Sequence, residues 1–274
     1  MLDPDASRRH PAGRAPRALK GWREAADAPG MVNLFTILPS ALVMLGAMAA
    51  SPASPTRRET VIAGGPRAWA LATTAHLTYN NGWRIDMLAP KYRSKSAVAE
   101  TRQILQDWWR IGNRQDLLQK LDWLAREGHR ADFQLKTKPL VAMSDAEFHD
   151  FSGRHPADTR RLMKRCRDHL RKRGPNSLVA WDYCRYIVLC RCGYQIGYLS
   201  EDEAWDRIMP MARAIQAAFP SWAELGEDYL LGREFWSMAE TQKSGKYYRD
   251  LEAWLVREPA SPWNQLAWGM DLGR

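Results

Sequence analysis

The chain of 274 residues lacks the short motifs that mark the commonest enzyme classes. It contains no G-x-x-x-x-G-K-[ST] or G-x-G-x-x-G phosphate-binding loop, no H-E-x-x-H zinc motif and no G-x-S-x-G nucleophile turn. These absences count against nucleotide-dependent chemistry and the familiar hydrolase mechanisms. A run of strand-like alternation and a repeat of fixed period are also missing, so neither a β-sheet protein nor a solenoid is predicted.

Cysteine is scarce, and its spacing matches neither C-x-x-C nor a zinc site. Free cysteine is among the most frequently buried residues, so small core side chains are the preferred interpretation. The alternative is a disulfide from the first cysteine to one of the others, which requires an oxidising compartment. The four cysteines are Cys166, Cys184, Cys190 and Cys192.

Metal-ligand spacing is also missing among the histidines. His149 and His155 lie near Asp145 and Asp150, but in no arrangement typical of a metal site. We therefore predict no metal and no cofactor.

The formal net charge of +9 is confined to two stretches. Residues 1–30 hold six basic and four acidic side chains (+2), and residues 160–173 hold eight basic and one acidic (+7), so the remainder sums to zero. Residues 200–240 hold nine acidic and three basic side chains (−6). The charge therefore does not indicate an extended nucleic-acid surface.

The N-terminal region divides into three parts before a helical domain at 67–274. Residues 1–30, rich in Ala, Arg and Pro, are predicted to be a disordered basic tail. Residues 31–50 carry no charge over twenty positions, the length of a membrane-spanning helix, and their end resembles a signal-peptidase site. Residues 51–66 are a Pro/Ser/Ala/Gly linker.

Two interpretations of residues 31–50 stay open. Membrane anchoring or export is favoured over a cytoplasmic location, because the preceding basic tail suits the positive-inside rule. The alternative is an apolar segment packed on the domain. It is favoured by Pro39, which interrupts the run, and by Arg57 and Arg58, which follow it closely. Met31 is a further candidate for the true start of the chain.

From Trp69 onward, apolar residues recur with helical spacing, which predicts an all-α fold of irregular bundle type. Most of the thirteen tryptophans fall in these segments and are expected to fill the core. Ser144, Ser200 and Ser221 each precede a glutamate by three residues, which is the capping-box pattern. The predicted helices are 68–79, 96–111, 113–127, 144–152, 157–173, 200–218, 221–240 and 244–257.

The stretch 178–192, LVAWDYCRYIVLCRC, is apolar almost all round a helical wheel, which predicts a buried central helix. Asp182 and Arg185 lie three residues apart on it and are neighbours on its surface. Because a lone buried charge is costly, we expect each to have a partner.

His129 is placed by the sequence just past a helix C-terminus, where the helix dipole favours protonated imidazole. If the fold brings it to Asp182 and Arg185, the three residues would suit acid–base chemistry. The preferred interpretation is a helix cap beside a structural ion pair.

Residues 160–173 predict a helix with a narrow apolar stripe and a broad cationic face. An anion-binding or lipid-facing role is one interpretation. A solvated face partly neutralised by residues 200–240 is the favoured one. The candidate anion-binding residues are Arg160, Arg161, Lys164, Arg165, Arg167, Arg171, Lys172 and Arg173.

The chain resembles the bacterial domain-of-unknown-function family 1266, typified by YbeU-like and YbeR-like proteins. The resemblance covers residues 69–268. It implies a helical domain without an established activity, and it directs attention to five polar positions: His129, Asp182, Arg185, Glu203 and Arg233. The residues that carry it are Leu121-Asp122-Trp123-Leu124, Gly128-His129-Arg130, Ala180-Trp181-Asp182 with Arg185, Gly193-Tyr194, Gly197-Tyr198-Leu199-Ser200, Glu203-Ala204-Trp205, Ser221-Trp222 and Gly232-Arg233 with Trp236.

Three functions remain in competition. The favoured hypothesis is a non-enzymatic interaction or accessory protein, of immunity type for example, that binds another bacterial protein. The second is a hydrolase-like enzyme using His129 and Asp182 with Arg185 or Arg233. The third is binding of nucleic acid or an anionic membrane through residues 160–173, with nucleic acid disfavoured.

Overall fold

The computed structural model describes residues 64–273, and within that range the protein is helical with no strands. The all-α prediction is confirmed. The predicted tail (1–30), the apolar segment (31–50) and most of the linker (51–66) lie outside the described residues. None of the helices between residues 64 and 273 is both long and apolar enough to cross a membrane.

Twelve α-helices follow one another through this part of the chain, numbered here in chain order. They are α1 (Pro66–Ala72), α2 (Ala75–Asn80), α3 (Lys95–Trp109), α4 (Arg114–Arg126), α5 (Gly128–Ala142), α6 (Asp145–Gly153), α7 (Ala157–Arg173), α8 (Val179–Ile196), α9 (Glu201–Ala218), α10 (Trp222–Trp236), α11 (Met238–Arg257) and α12 (Pro262–Gln265). A short 3₁₀ helix, Gly174–Asn176, joins α7 to α8.

The central helix predicted at 178–192 is α8, and it is buried on nearly every side. Helices α3, α4, α5, α9 and α10 all pack against it. Helix α7 lies in an outer position against α5 and α10. All four cysteines are buried and free, three of them on α8, so their prediction as core residues is confirmed.

Most helices begin at a residue whose side chain caps them locally. Ser144 and Ser200 form complete capping boxes with the glutamates three residues on, as predicted. At Ser221 only half of the box forms, because the Glu224 carboxylate pairs with Lys172 and Arg173 instead. A local cap holds an N–H group that the helix itself leaves unpaired.

Several predicted helix bounds were wrong. The segment predicted as one helix over 68–79 is split at Thr73 and Thr74, whose hydroxyl groups hydrogen-bond to the preceding carbonyls. The helix predicted over 221–240 ends at Trp236, where Ser237 caps α11. Helix α5 was missed altogether, because Pro139 and a weak apolar pattern hide its periodicity.

The buried cation Arg191 ties the loop between α2 and α3 to the core. Its guanidinium donates to Thr74 and Thr78 and to the carbonyls of Arg84 and Leu88. Burial lowers the pKa of Arg191 to about 10, since all of these acceptors are neutral. The loop is therefore anchored by hydrogen bonds rather than by an ion pair.

Candidate functional site

The Asp182 carboxylate of α8 caps the N-terminus of α5. It is 0% exposed and accepts the backbone N–H groups of His129 and Arg130, both at 3.0 Å. Glu127, the residue at the N-cap position, makes no side-chain cap. A residue remote in sequence thus supplies the acceptor that α5 lacks locally.

Gly128 makes this close approach feasible. Its φ of +59° lies in the left-handed region, and a Cβ built there would lie 2.0 Å from Asp182 Oδ2. Any other residue at 128 would therefore be strained in the backbone and would collide with the carboxylate.

Two arginines complete the shell around Asp182. Arg130 Nη1 donates to Oδ2 at 3.1 Å, and Arg185 Nη2 donates to Oδ1 at 2.6 Å. Burial raises the pKa of Asp182, but the hydrogen bonds from the His129–Arg130 turn and the charge of Arg185 outweigh it and leave the pKa below its usual value. The carboxylate is ionised, paired and out of reach of a substrate.

His129 starts a helix instead of following one, which corrects the prediction from the sequence. In the first turn of α5 the helix dipole disfavours protonated imidazole. Burial lowers the pKa of His129, and the neighbouring Arg185 charge acts in the same direction. The imidazole is therefore neutral near pH 7.

The tautomer of His129 follows from its neighbour. Arg185 Nη2 lies 2.8 Å from Nδ1, and a guanidinium only donates, so Nδ1 accepts and Nε2 carries the proton. The ring is 26% exposed, and its Nε2 makes no hydrogen bond to any of residues 64–273. A neutral N–H donor is thus left at the edge of the cluster.

An open groove lies beside this cluster, between the end of α3 and the exposed face of α4. Its volume is about 210 Å³. We refer to it as the tryptophan groove. The residues that line it are Trp109, Arg110, Asp116, Gln119, Lys120 and Trp123.

Two aromatic walls connect the groove to the Asp182 cluster. The Trp109 ring centroid lies 5.6 Å from the Arg185 guanidinium carbon, and the Trp123 ring meets the His129 ring edge-on at 5.2 Å. On the outer side, Lys120 Nζ lies 5.0 Å from the Trp123 ring centroid. The two tryptophans therefore lie between the groove and the buried charges.

Lys120 has no acidic partner. No ion pair of Lys120 is found within the described part of the chain, and the charge that shifts its pKa is the like charge of Arg185. Burial and Arg185 together lower the pKa of Lys120. A negative charge beside Lys120 would act in the opposite direction and raise its pKa.

The other two candidate site residues, Arg233 and Glu203, lie away from the Asp182 cluster. Arg233 bonds to Thr241, Ser244 and the Glu240 carbonyl, and its guanidinium stacks on Tyr248. It makes no contact with His129 or Asp182 among the described contacts.

Glu203 belongs to the capping box of α9. Its carboxylate also pairs with Arg114 at 2.6 Å. The Arg114 hydrogen bond lowers the pKa of Glu203 to about 2. Of the five resemblance positions, the fold therefore brings together only His129, Asp182 and Arg185.

The candidate anion-binding residues of α7 are largely engaged with acidic side chains. Arg167 is buried and donates to the carbonyls of Leu140 and Met143, near the C-terminus of α5, so it is not available to an external anion. Arg160 has no partner among the described contacts. The pairs on this helix are Arg161 with Asp158 and Glu234, Lys164 with Asp168, Arg165 with Glu234, Arg167 and Arg171 with Asp145, Lys172 with Glu224 and Glu227, and Arg173 with Glu224.

No group of three or more histidine, cysteine, aspartate or glutamate side chains between residues 64 and 273 is arranged to hold a metal. His149 is exposed on α6, and His155 hydrogen-bonds to the Phe151 carbonyl.

Sequence reasoning missed Lys120, Gln119 and the part played by Trp109 in the site. These residues are polar or amphipathic positions on two separate helices. Their only sequence signal was the Trp123 segment of the resemblance, since the groove exists only once α3 and α4 are packed together.

A family model described as "protein of unknown function (DUF1266)" matches residues 104–268. The match spans the groove, the Asp182 cluster and α8, and it confirms the family to which the resemblance pointed. A comparison with curated proteins found no match. A comparison with solved structures also found none.

Proposed function

Because the chain belongs to the DUF1266 family, whose description names no activity, we propose a function from the geometry: a non-enzymatic protein that binds another protein through the tryptophan groove. One observation carries this proposal. The charged side chains around Asp182 are used in holding helices together, whereas Lys120, which has no ion pair among the described residues, and two tryptophans line one open groove.

Tryptophan at an exposed groove is typical of binding surfaces, because it contributes a large contact area with little loss of conformational entropy. Trp108, next to the lining residue Trp109, is 61% exposed. A large aromatic side chain that remains in water in the free protein is consistent with a partner that covers it.

The hydrolase hypothesis loses support from the burial of Asp182. A general base has to reach the proton that it abstracts, and this carboxylate is enclosed by four donors. The proposal of nucleic-acid or membrane binding through α7 is weakened in a similar way, since acidic neighbours engage all but one of its candidate cations.

Site-specific photo-crosslinking in cells that naturally produce the protein tests the proposal. A photoreactive amino acid at Gln119, inside the groove, should give a discrete crosslinked species. The same amino acid at Lys246, an exposed position on α11, is the control and should give none. Equal crosslinking at both positions, or none at Gln119, would contradict the proposal.

A further inference from the structure

His129 connects the buried charges around Asp182 to one wall of the tryptophan groove. Its Nδ1 accepts a hydrogen bond from Arg185 Nη2 at 2.8 Å. Its ring meets the Trp123 ring at 5.2 Å and the Trp181 ring at 6.3 Å, edge-on in both cases. Trp123 lines the groove, whereas Trp181 is buried. The imidazole therefore supports a groove residue from behind.

A proton on Nδ1 would make the contact between His129 and Arg185 repulsive. Both ring nitrogens of a protonated imidazole are donors, and a guanidinium has only donors, so no hydrogen bond can form between them. Two positive charges would also face each other across the 2.8 Å from Nδ1 to Nη2. The hydrogen bond therefore exists only while the imidazole is neutral.

The neighbouring carboxylates do not offset this repulsion. Asp182 Oδ1 lies 3.8 Å from Nδ1, beyond hydrogen-bond distance, and already accepts from Arg185 at 2.6 Å. Asp132, on α5, is paired with Lys136. Burial and the Arg185 charge outweigh both carboxylates and lower the pKa of His129. The charged groups that face the imidazole are Asp182 and Arg185 on α8, Arg130 and Asp132 on α5, and Lys120 on α4, beyond Trp123.

Of the two partners, His129 is the one that can move. Its side chain is 26% exposed, whereas that of Arg185 is 6% exposed and donates through Nε to the Trp181 carbonyl. Rotation of the His129 side chain brings the ring into solvent, where a protonated imidazole is hydrated. The backbone N–H of His129 can stay on Asp182, so α5 keeps its cap. Trp123 then loses the ring against which it packs.

We propose that the His129–Arg185 contact is a pH-sensitive switch, in which protonation releases the His129 ring into solvent and Trp123 shifts in response, so that the tryptophan groove changes shape in mild acid. The switch belongs to the free protein, so it goes beyond the proposed function and does not depend on it. The released ring has the ordinary histidine pKa of about 6.5. Each pH unit below that value should favour the released form by up to about tenfold, until the pKa of the bound form is reached.

Fluorine NMR of the full-length chain labelled with 5-fluorotryptophan tests the switch. Trp123→Phe and Trp254→Phe assign the resonances of Trp123 and of a partly exposed tryptophan on α11. As the pH falls from about 7.5 to about 5, the Trp123 resonance should shift with a midpoint below about 6.5. The Trp254 resonance is the reference and should not shift.

Substitutions at position 129 identify the group that titrates. His129→Gln should abolish the shift, whereas the matched control His149→Gln, at an exposed histidine of α6, should leave it unchanged. His129→Arg carries a permanent charge and should place the Trp123 resonance near its acid position already at about pH 7.5. Long-range ¹H–¹⁵N spectra of the histidine rings need no substitution at 129. They should show the His129 proton on Nε2 near neutral pH and a titration with the Trp123 midpoint.

Three results would overturn the switch. They are a Trp123 resonance that does not move, a shift that persists in His129→Gln, and a shift accompanied by loss of the far-UV circular dichroism signal, because global unfolding would then be its cause. No partner is present in these measurements. Failure of the switch is therefore distinguishable from failure of the crosslinking at Gln119, which tests partner binding.

Discussion

Asp182 and Asp228 are both fully buried, and each accepts backbone N–H groups at the N-terminus of a helix other than its own. Asp182, on α8, caps α5, and Asp228, on α10, caps α8 by accepting from Leu178 at 2.6 Å and Ala180 at 2.9 Å. In each case the chain enters the helix through a residue of positive φ, Gly128 or Leu178. The two carboxylates link three helices in series.

Their surroundings differ in charge. Asp182 is flanked by Arg130 and Arg185, which are permanently charged, whereas Asp228 has His169 Nε2 at 2.8 Å. An arginine stays charged when its partner is lost, which makes it costly to leave buried and unpaired. The Asp182 cluster lies behind Trp109 and Trp123, which line an open groove, so this capping carboxylate also supports part of the surface.

The largest expected effect separates the two aspartates directly. Asp182→Asn leaves the buried Arg185 and the partly buried Arg130 without their counter-charge and should cost about 3–5 kcal/mol in the free energy of unfolding. Asp228→Asn should cost less, about 2 kcal/mol, because it weakens a helix cap but takes a counter-charge from no arginine. Urea unfolding followed by circular dichroism measures both. Equal losses would mean that the two arginines do not distinguish Asp182 from Asp228.

The second prediction concerns the close approach at Gly128. Gly128→Ala combines a left-handed backbone with a collision against Asp182, and Gly197→Ala is its matched control, with φ of +83° and no atom within 4 Å of the added Cβ. Gly197→Ala should cost about 1–2 kcal/mol. Gly128→Ala should exceed it by about 1–3 kcal/mol. A smaller loss at 128 would mean that Asp182 can move away without penalty.

The third prediction uses pH. The folded-state pKa of His129 is lowered, so below the ordinary histidine pKa of about 6.5 the unfolded chain binds the proton more readily than the folded one. The wild type should therefore lose stability relative to His129→Gln as the pH falls from 7 towards 5. Parallel urea titrations across that range provide the measurement, and identical pH profiles would contradict the assignment.

Asp182 should act at lower pH and with the same proton preference, since here too the unfolded chain binds the proton more readily than the folded one. Because its folded-state pKa lies below its unfolded one, its stabilising contribution is complete above about pH 4 and is lost as the pH falls through the folded-state value. In Asp182→Asn this acid-dependent component should be missing from the stability profile. Its persistence would assign the effect to another carboxylate.

The smallest effect is expected at an aspartate on the surface, which serves as a reference for the two buried ones. Asp168 is exposed and pairs with Lys164 four residues earlier on α7. Asp168→Asn should change the free energy of unfolding by no more than about 0.5 kcal/mol, and added salt should reduce the difference further. A loss comparable with that of Asp228→Asn would show that burial is not what distinguishes these carboxylates.

The helices that could be predicted are those whose signals lie within one turn. Helix α7 was placed at its observed bounds because proline precedes it and Gly174-Pro175 follows it. The caps at Ser144 and Ser200 were found because a box needs only a serine and a glutamate three residues later. Helix α5 has no local cap and a proline inside, so its periodicity was not recognised, and His129 was assigned to the wrong helix end.

The candidate site could be predicted only in part. The all-round apolar pattern of α8 predicted burial, and burial required that Asp182 and Arg185 be partnered. That the partners are the backbone of His129 and the guanidinium of Arg130 depended on α5 crossing α8. No spacing in the sequence encodes that crossing, because more than fifty residues separate the two groups.

The sequence by itself thus determined the helical class, the buried central helix and the caps formed within three or four residues, because hydrogen bonds of that range depend on spacing alone. The tertiary structure decided what the buried charges do. It made Asp182 and Asp228 caps of other helices, engaged most of the α7 cations with acidic neighbours, and left Lys120 unpaired beside two tryptophans. Those outcomes follow from which helices pack together, since a charge removed from water has to find its partner in whichever element lies against it.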